Sequence, residues 1–372
     1  MPLFYPARKF GRYGLVMGLT ARLLHDRFGL DFGERFHRDI LYRIEALRDI
    51  DRLVWESFRD IGLGYEEPFP RATIEPFGHR FVPVLYGCEC VYASAEEPAV
   101  LPRKLSPEEI RSLPPWTPES FESREAVREV VGQAKAARER YGEACAAAGD
   151  RMGYNPHYRP LSSLQNLGSV INTAVSVFGE EVLCLYCDDP QLLRALYRNI
   201  TDLMLLCLRA FPRVDGRALA DIFVGDCTVA MISPRNYADC NLPFDGELAA
   251  FARSIGARFL VHQDSDVTPH LPNYARLGHV HGLDFGQDTD FARAAELFPG
   301  ASANCILFPS WIRATPAEGI REELERLMRV GRRFADFTFS LFELDPALAE
   351  GKVFEFVEIF RQCAQEAGRG GE

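Results

Sequence analysis

The sequence predicts an α/β fold with parallel strands, and the alternation of two kinds of segment supports this prediction. From about residue 180 onward, short apolar segments alternate with longer segments whose apolar residues recur at helical spacing. Such alternation is typical of strands joined by helical crossovers, which run parallel to one another. The pattern fits either a closed barrel or an open doubly wound sheet. The sequence has no GxGxxG after its first apolar segment and no P-loop motif, which argues against a nucleotide-binding open sheet.

The second half of the chain supplies the elements in order. Strands are predicted at 219–226, 257–264, 279–286, 301–309 and 333–340. Helices are predicted at 188–211 and 233–256, in the segments that follow the later strands, and at 350–366. The first of these helices begins with two acids and a proline, as helix N-termini often do.

The first half of the chain is predicted to be helical and irregular. Apolar residues at helical spacing over 34–61 indicate an N-terminal helical extension, assigned to residues 1–80. The segment FVPVLYG, residues 81–87, has the composition of a strand that ends at glycine. The proline-rich stretch 92–121 is predicted to be a surface insertion. We expect residues 1–372 to form one domain.

Composition bounds the classes of function. The chain has 372 residues, 47% of them apolar and 26% charged, which is an ordinary globular composition. Its formal net charge of −11 argues against a nucleic-acid partner. There is no secretory signal and no apolar run of about 18 residues, so no membrane span is expected. Several of the ten cysteines lie in apolar runs, as in a reducing, cytoplasmic protein.

Three segments carry a family resemblance. They are GEEVLCLYCDDPQLLRALYRNIT (179–201), VGDCTVAMISPRNYADCNLPF (224–244) and GARFLVHQDSDVTPHLPNYARLG (256–278). Together with the downstream RATPAEGIREELERLM, they resemble the uroporphyrinogen decarboxylase and corrinoid-dependent methyltransferase superfamily. The resemblance covers roughly residues 165–366. It implies a (β/α)8 TIM barrel with extra N-terminal helices, whose chemistry lies at the C-terminal ends of the strands.

The resemblance also implies a metal site. Corrinoid-linked methyltransferases of this superfamily bind zinc through a His-x-Cys pair and a later cysteine. Here His262 is kept, Asp264 stands at the first cysteine position, and Glu343 falls near the second. His262 and Asp264 are two residues apart at a predicted strand end, so their side chains share one side. A set of one histidine and two carboxylates can bind zinc or another divalent ion, with oxygen ligands that are harder than cysteine sulfur. The alternative is a hydrogen-bonded His–Asp pair without a metal.

Other candidates also lie near predicted strand ends. Asp226 follows a strand and a glycine, where it would position substrate or act as a base, or else cap a helix. Cys227 and Cys305 are thiols that could be ligands or nucleophiles, although buried cysteines are usually inert. The residues predicted to bind substrate are Tyr154, Asn155, His281, Asn304 and Cys305.

The function implied is methyl transfer. A methyl group would pass from a corrinoid, supplied by a partner protein, or from a small methylated substrate to a small-molecule acceptor. The alternatives are a decarboxylase or other lyase acting on a carboxylated substrate, and a catalytically degenerate barrel that binds a ligand. True uroporphyrinogen decarboxylases use a late histidine, and the corresponding segment here reads FELDP. Barrels of this kind often form homodimers, and we expect one here.

Overall fold

The fold is organised around one curled sheet of eight strands. The structure, a computed structural model, describes residues 3–71, 74–151, 166–215, 218–348 and 350–369. The strands are β1 (Leu3–Phe10), β2 (Tyr13–Leu19), β5 (Asn166–Gly168), β6 (Asp221–Gly225), β7 (Arg258–Gln263), β8 (Val280–Gly286), β9 (Ser302–Leu307) and β10 (Phe337–Leu344), and a separate hairpin holds β3 (Glu89–Val91) and β4 (Ala99–Leu101). The order in the large sheet is β1-β2-β10-β9-β8-β7-β6-β5.

The sheet is mostly parallel. The seven strands from β2 to β5 pair in parallel, and β1 pairs antiparallel to β2. The predicted α/β fold with parallel strands is therefore confirmed, and it is barrel-like. The closed ring of eight parallel strands is not what the described residues form, because β1 and β5 are the two outer strands of their sheet.

Helices connect and cover the strands. In the first half they are α1 (Ala21–Phe28), α2 (Glu34–Arg38), α3 (Ile40–Phe58), α4 (Phe81–Leu85), α5 (Pro107–Arg111), α6 (Pro118–Glu122) and α7 (Glu125–Arg151). In the second half they are α8 (Val170–Phe178), α9 (Leu185–Asp188), α10 (Pro190–Asp215), α11 (Pro234–Asn236), α12 (Leu242–Ser254), α13 (Leu271–Ala275), α14 (Phe291–Leu297), α15 (Pro309–Ala314), α16 (Ala317–Gly331) and α17 (Glu350–Arg369). No helix in the described ranges is both long and apolar enough to cross a membrane.

The first 20 residues differ from the prediction. Residues 3–19 form β1 and β2 rather than part of a helical extension, and helices begin only at α1. Every residue of β2 is buried, so both faces of this strand are covered, and β1 and β10 pair with its two edges. A strand covered on both faces lacks the alternation that would mark it in the sequence.

Two further segments differ from the prediction. Residues 81–85 form helix α4 rather than a strand, with Pro83 in the short helix's first turn, where a missing N–H costs little. The proline-rich stretch 92–121 contains β4, α5 and α6, and both helices begin with a capping box. Ile110 and Phe121 are buried in the core, so this stretch is packed against the domain.

One transverse row of residues prepares the site. Their backbones are register partners across seven strands, in the order Gly168, Gly225, His262, Asp284, Asn304, Thr338 and Gly14. Partners in adjacent parallel strands share one face of the sheet. The middle of the row is polar, and the glycines beside it on β5 and β6 leave space in front of His262.

Candidate functional site

The site is centred on His262, near the C-terminal end of β7. Its Nδ1 lies 2.7 Å from Asp284 Oδ2, and its Nε2 lies 2.6 Å from Asp264 Oδ1. Burial acts to lower the pKa of His262, but the charge of Asp284 and hydrogen bonds to both carboxylates outweigh it and raise the pKa well above its usual value. The imidazole is therefore held between two acids, one buried and one half-exposed.

Asp284 is supported from behind by two further strands. Asn304 Nδ2 donates to Asp284 Oδ1 at 2.5 Å, and Ser340 Oγ donates to Asn304 Oδ1 at 2.8 Å. All three residues are fully buried. A carboxylate fixed in this way accepts the Nδ1 proton of His262 and leaves Nε2 directed toward Asp264. Asn304, predicted to bind substrate, instead lies behind His262 with its amide engaged by protein groups.

Cys227 completes a cluster of three possible metal ligands. One donor atom each from Cys227, His262 and Asp264 lies within 4.8 Å of the other two. The Asp226 N–H donates to the carbonyl of His262 at 2.7 Å, which places the start of the turn Cys227–Met231 beside the end of β7. Burial raises the pKa of the Cys227 thiol, and its hydrogen bond with His262 partly opposes this.

His262 and Asp264 were predicted from the sequence as metal ligands, and Cys227 was predicted as a thiol that could be a ligand or a nucleophile. The signal for Cys227 was its position directly after the Gly-Asp that ends β6, one strand from His262. Glu343, predicted as the third ligand, belongs to β10, and its side chain lies outside what the structure describes.

A cavity of about 290 Å³ opens in front of His262. Its walls come from the segment 79–83, from α8 and from the ends of β5, β6 and β7. The lining residues are His79, Arg80, Phe81, Val82, Pro83, Leu167, Gly168, Asn172, Thr173, Val175, Ser176, Phe223, Gly225, Thr228 and His262. The cavity thus meets the ligand cluster at the His262 ring.

Asp226, predicted to be catalytic, lies in a buried polar group beside the site and does not line this cavity. Its Oδ2 accepts a hydrogen bond from the Tyr274 hydroxyl at 2.7 Å, and Asp245 Oδ2 accepts one from Tyr237 at 2.7 Å. Burial and the charge of Asp245 raise the pKa of Asp226 well above its usual value, and burial raises that of Asp245 to about 7. Burial and the repulsion between the two carboxyls therefore disfavour ionising both at once.

Among the described residues, two further predicted site residues, His281 and Cys305, are not brought together with His262. His281 is exposed near the start of β8, three residues before Asp284, and its ring packs on His279 with centroids 4.4 Å apart. Cys305 is fully buried on the face of β9 opposite Asn304, and burial raises the pKa of its thiol. Tyr154 and Asn155 lie outside the described residues.

Comparison with known proteins places the fold. No protein-family model matches the chain, and no curated protein sequence matches it. Among solved structures, it is similar to a methyltransferase from Methanosarcina mazei, with a TM-score of 0.58 and 14% sequence identity. The match covers 94% of this chain and 93% of the other. At this identity the similarity establishes a methyltransferase-like fold, which agrees with the barrel-like sheet described above.

The close packing of Gly286 under Asp264 generates a first prediction. A Cβ on Gly286 would lie 2.1 Å from the Asp264 carbonyl oxygen, so Gly286→Ala must displace the backbone that carries this ligand. We expect the free energy of unfolding to fall by about 3 kcal/mol, as in an overpacked core. Urea denaturation measures it. The control is Gly246→Ala in α12, where a Cβ meets nothing within 4 Å. Equal urea denaturation midpoints for Gly286→Ala and Gly246→Ala would show that the expected clash does not occur.

The buried pair of acids generates a second prediction. Because the pKa of Asp245 is raised to about 7, the folded chain retains a proton there at pH values where an unfolded aspartate has lost it. This group therefore makes stability decrease as pH rises from about 4 to 7. Asp245→Asn removes the ionisation, and we expect it to gain about 2–4 kcal/mol relative to the wild type between pH 4 and pH 8.

Denaturant unfolding at a series of pH values measures this difference. Asp239→Asn is the control, because the Asp239 side chain is 62% exposed in the neighbouring turn. Parallel pH profiles for the wild type and Asp245→Asn would show that Asp245 does not retain the proton.

Proposed function

We propose that this protein is a methyltransferase acting on a small molecule, with a divalent metal, zinc in the first instance, held by Cys227, His262 and Asp264. The observation that carries the proposal is the clustering of their three donor atoms within 4.8 Å, beside a cavity at the C-terminal strand ends. The methyltransferase-like fold supports the same reaction class. The methyl donor in this proposal is a corrinoid carried by a partner protein, or a small methylated substrate.

The donor set fits zinc. Sulfur, imidazole nitrogen and carboxylate oxygen are its usual ligands, and three protein ligands leave one position for a substrate, as catalytic sites do. A thiolate and a carboxylate together carry two negative charges, as two thiolates would. In this proposal Cys227 supplies a sulfur ligand, although the two positions at which the resemblance implies cysteine hold Asp264 and Glu343.

The protonation of the cluster also favours a cation. Burial leaves the proton on Cys227, and the surrounding acids hold one on His262. Binding a divalent ion releases such protons and supplies positive charge to the same buried space. The ion would lower the pKa of a bound thiol or water and so generate a nucleophile.

The protein residues have separate roles in this proposal. Asp284 fixes the ring of His262 through Nδ1, and Asn304 and Ser340 fix Asp284. In this proposal the acceptor enters the cavity beside the His262 ring. The cavity orients the acceptor for in-line transfer of the methyl group. The acceptor atom that loses a proton then lies near Cys227, His262 and Asp264.

Metal content tests the proposal directly. We expect about one ion per chain after chelator-free purification, because three ligands and an ordered histidine form a high-affinity site. Cys227→Ser, His262→Ala and Asp264→Ala should each reduce the metal content at least tenfold. Cys184→Ser changes an exposed cysteine outside the cluster and should leave it unchanged. Elemental analysis of the five proteins is the measurement.

A transfer assay completes the test. Methylcobalamin is supplied as donor with a panel of small thiol, amine and hydroxyl acceptors. Turnover in the wild type, reduced by about 10–100-fold in Asp284→Asn, would support metal-dependent methyl transfer with a positioned histidine. Metal-free wild-type protein with no turnover on any acceptor would refute the proposal.

One observation favours decarboxylation as a second candidate. The two acids raise the pKa of His262, which favours its protonated form, and a protonated histidine can serve as a general acid. Release of carbon dioxide from porphyrinogen or smaller polycarboxylates by metal-free protein, abolished in His262→Ala, would establish this alternative.

A further inference from the structure

We infer that Cys184 and Cys187 form a surface dithiol that closes to a disulfide by exchange with a small-molecule disulfide, such as oxidised glutathione, and reopens when thiols are in excess. The pair spans the junction between the short 3-10 helix Glu180–Cys184 and α9, outside the cluster of possible metal ligands. The inference does not depend on the proposed function.

The exposure of both cysteines is the first observation. They lie in the apolar run EVLCLYC (181–187), whose composition predicts burial, yet both residues are exposed. The other seven cysteines that the structure describes are buried or half-buried. Cysteine is among the residue types that are most often buried, so two exposed thiols three positions apart are unusual on a protein surface.

The packing of the turn explains why the two thiols face outward. Val182 and Tyr186 are buried four positions apart, and they form the inner face of the turn. The Tyr186 hydroxyl donates to Asn241 Oδ1 at 2.5 Å and pairs with the Tyr197 hydroxyl at 2.8 Å. These buried contacts fix the rotation of the turn about its axis. Both thiols therefore lie on its outer side, next to each other.

The spacing of the two residues allows their sulfurs to bond. Residues three apart in a helix have Cα atoms about 5 Å apart, inside the range of roughly 4.4–6.8 Å found in disulfides. Their Cβ atoms start about 5–6 Å apart and need about 4 Å, so the turn must tighten by about 1–2 Å. Helix α9 is a single turn, and Asp189 after it has non-helical angles (φ −151°, ψ 75°), so only this turn has to adjust.

The oxidant in this exchange is the small-molecule disulfide. The thiolate of one cysteine attacks glutathione disulfide, which forms a mixed disulfide and releases one glutathione. The thiolate of the other cysteine then attacks the protein sulfur of the mixed disulfide, which closes the protein disulfide and releases the second glutathione. Two electrons pass from the cysteine pair to glutathione disulfide, and the two cysteine protons end on the two glutathione thiols. An excess of glutathione reverses both steps, because the exposed disulfide is accessible to thiols.

Equilibration with glutathione tests the pair in the folded, full-length chain. The reduced protein is incubated with defined mixtures of reduced and oxidised glutathione and quenched with acid, and its free thiols are then alkylated under denaturing conditions. Mass spectrometry should show two fewer alkylated thiols, no bound glutathione, and the loss of two hydrogens in the peptide that contains residues 184–187. Dithiothreitol should restore both thiols.

Single substitutions separate this pair from the other cysteines. Cys184→Ser and Cys187→Ser each lack the second thiol, so glutathione on the remaining cysteine should persist at least tenfold longer than in the wild type. Cys90→Ser is the control, because it removes a half-buried cysteine outside this turn, and it should oxidise as the wild type does. Circular dichroism checks that every variant is folded.

Two results would overturn the inference. The first is a wild-type chain that, in oxidised glutathione alone, keeps both thiols free or accumulates stable glutathione adducts on them. The second is a protein disulfide that forms to the same extent in Cys184→Ser as in the wild type, because the oxidation would then belong to other cysteines.

Discussion

The hydrogen bond between His262 and Asp284 is the interaction on which the rest of the site depends. It joins two adjacent strands at register partners, so the backbone ladder and the side-chain contact fix each other. Asp284 is fully buried, and a buried carboxylate is costly unless it is paired and hydrogen-bonded. His262 provides the charge, and the Asn304 amide satisfies the second oxygen. Without this pair the cavity would contain either an unpaired acid or an imidazole free to rotate.

The two halves of the site differ in their exposure to solvent. Asp284, Asn304 and Ser340 are closed to solvent and have little freedom to rearrange, because hydrogen bonds link each of them to the next. Asp264 is half-exposed, and the cavity in front of His262 is open to a ligand. A rigid interior that ends in one adjustable carboxylate is suited to binding exchangeable groups in a fixed geometry.

The α/β class and most of the later elements could be predicted from the sequence, because apolar strands and amphipathic helices leave distinct periods. His262 and Asp264 were predicted because they stand two residues apart at a predicted strand end. Cys227 was underweighted, since its proximity depends on the pairing of β6 with β7, which no local pattern reveals. Asn304 was predicted to lie at a strand end and to bind substrate. In the structure it is buried behind Asp284, and this burial depends on tertiary contacts that a local sequence pattern does not reveal. The strand β2 was missed for the same reason, since it is covered on both faces.

The position of β10 has a consequence for the synthesis of the protein. This strand pairs with β2 on one side and β9 on the other, and it carries Ser340, whose backbone partner in β2 is Val16. Ser340 therefore lies on a strand that joins residues 13–19 and the later strands in one sheet. A growing polypeptide cannot complete this arrangement until residues 337–344 have left the ribosome, and pairing over such a separation is slow. A partly made chain thus contains His262 and Asp284 long before the outer support of their hydrogen bond exists, which confines the assembled chemistry to the finished molecule.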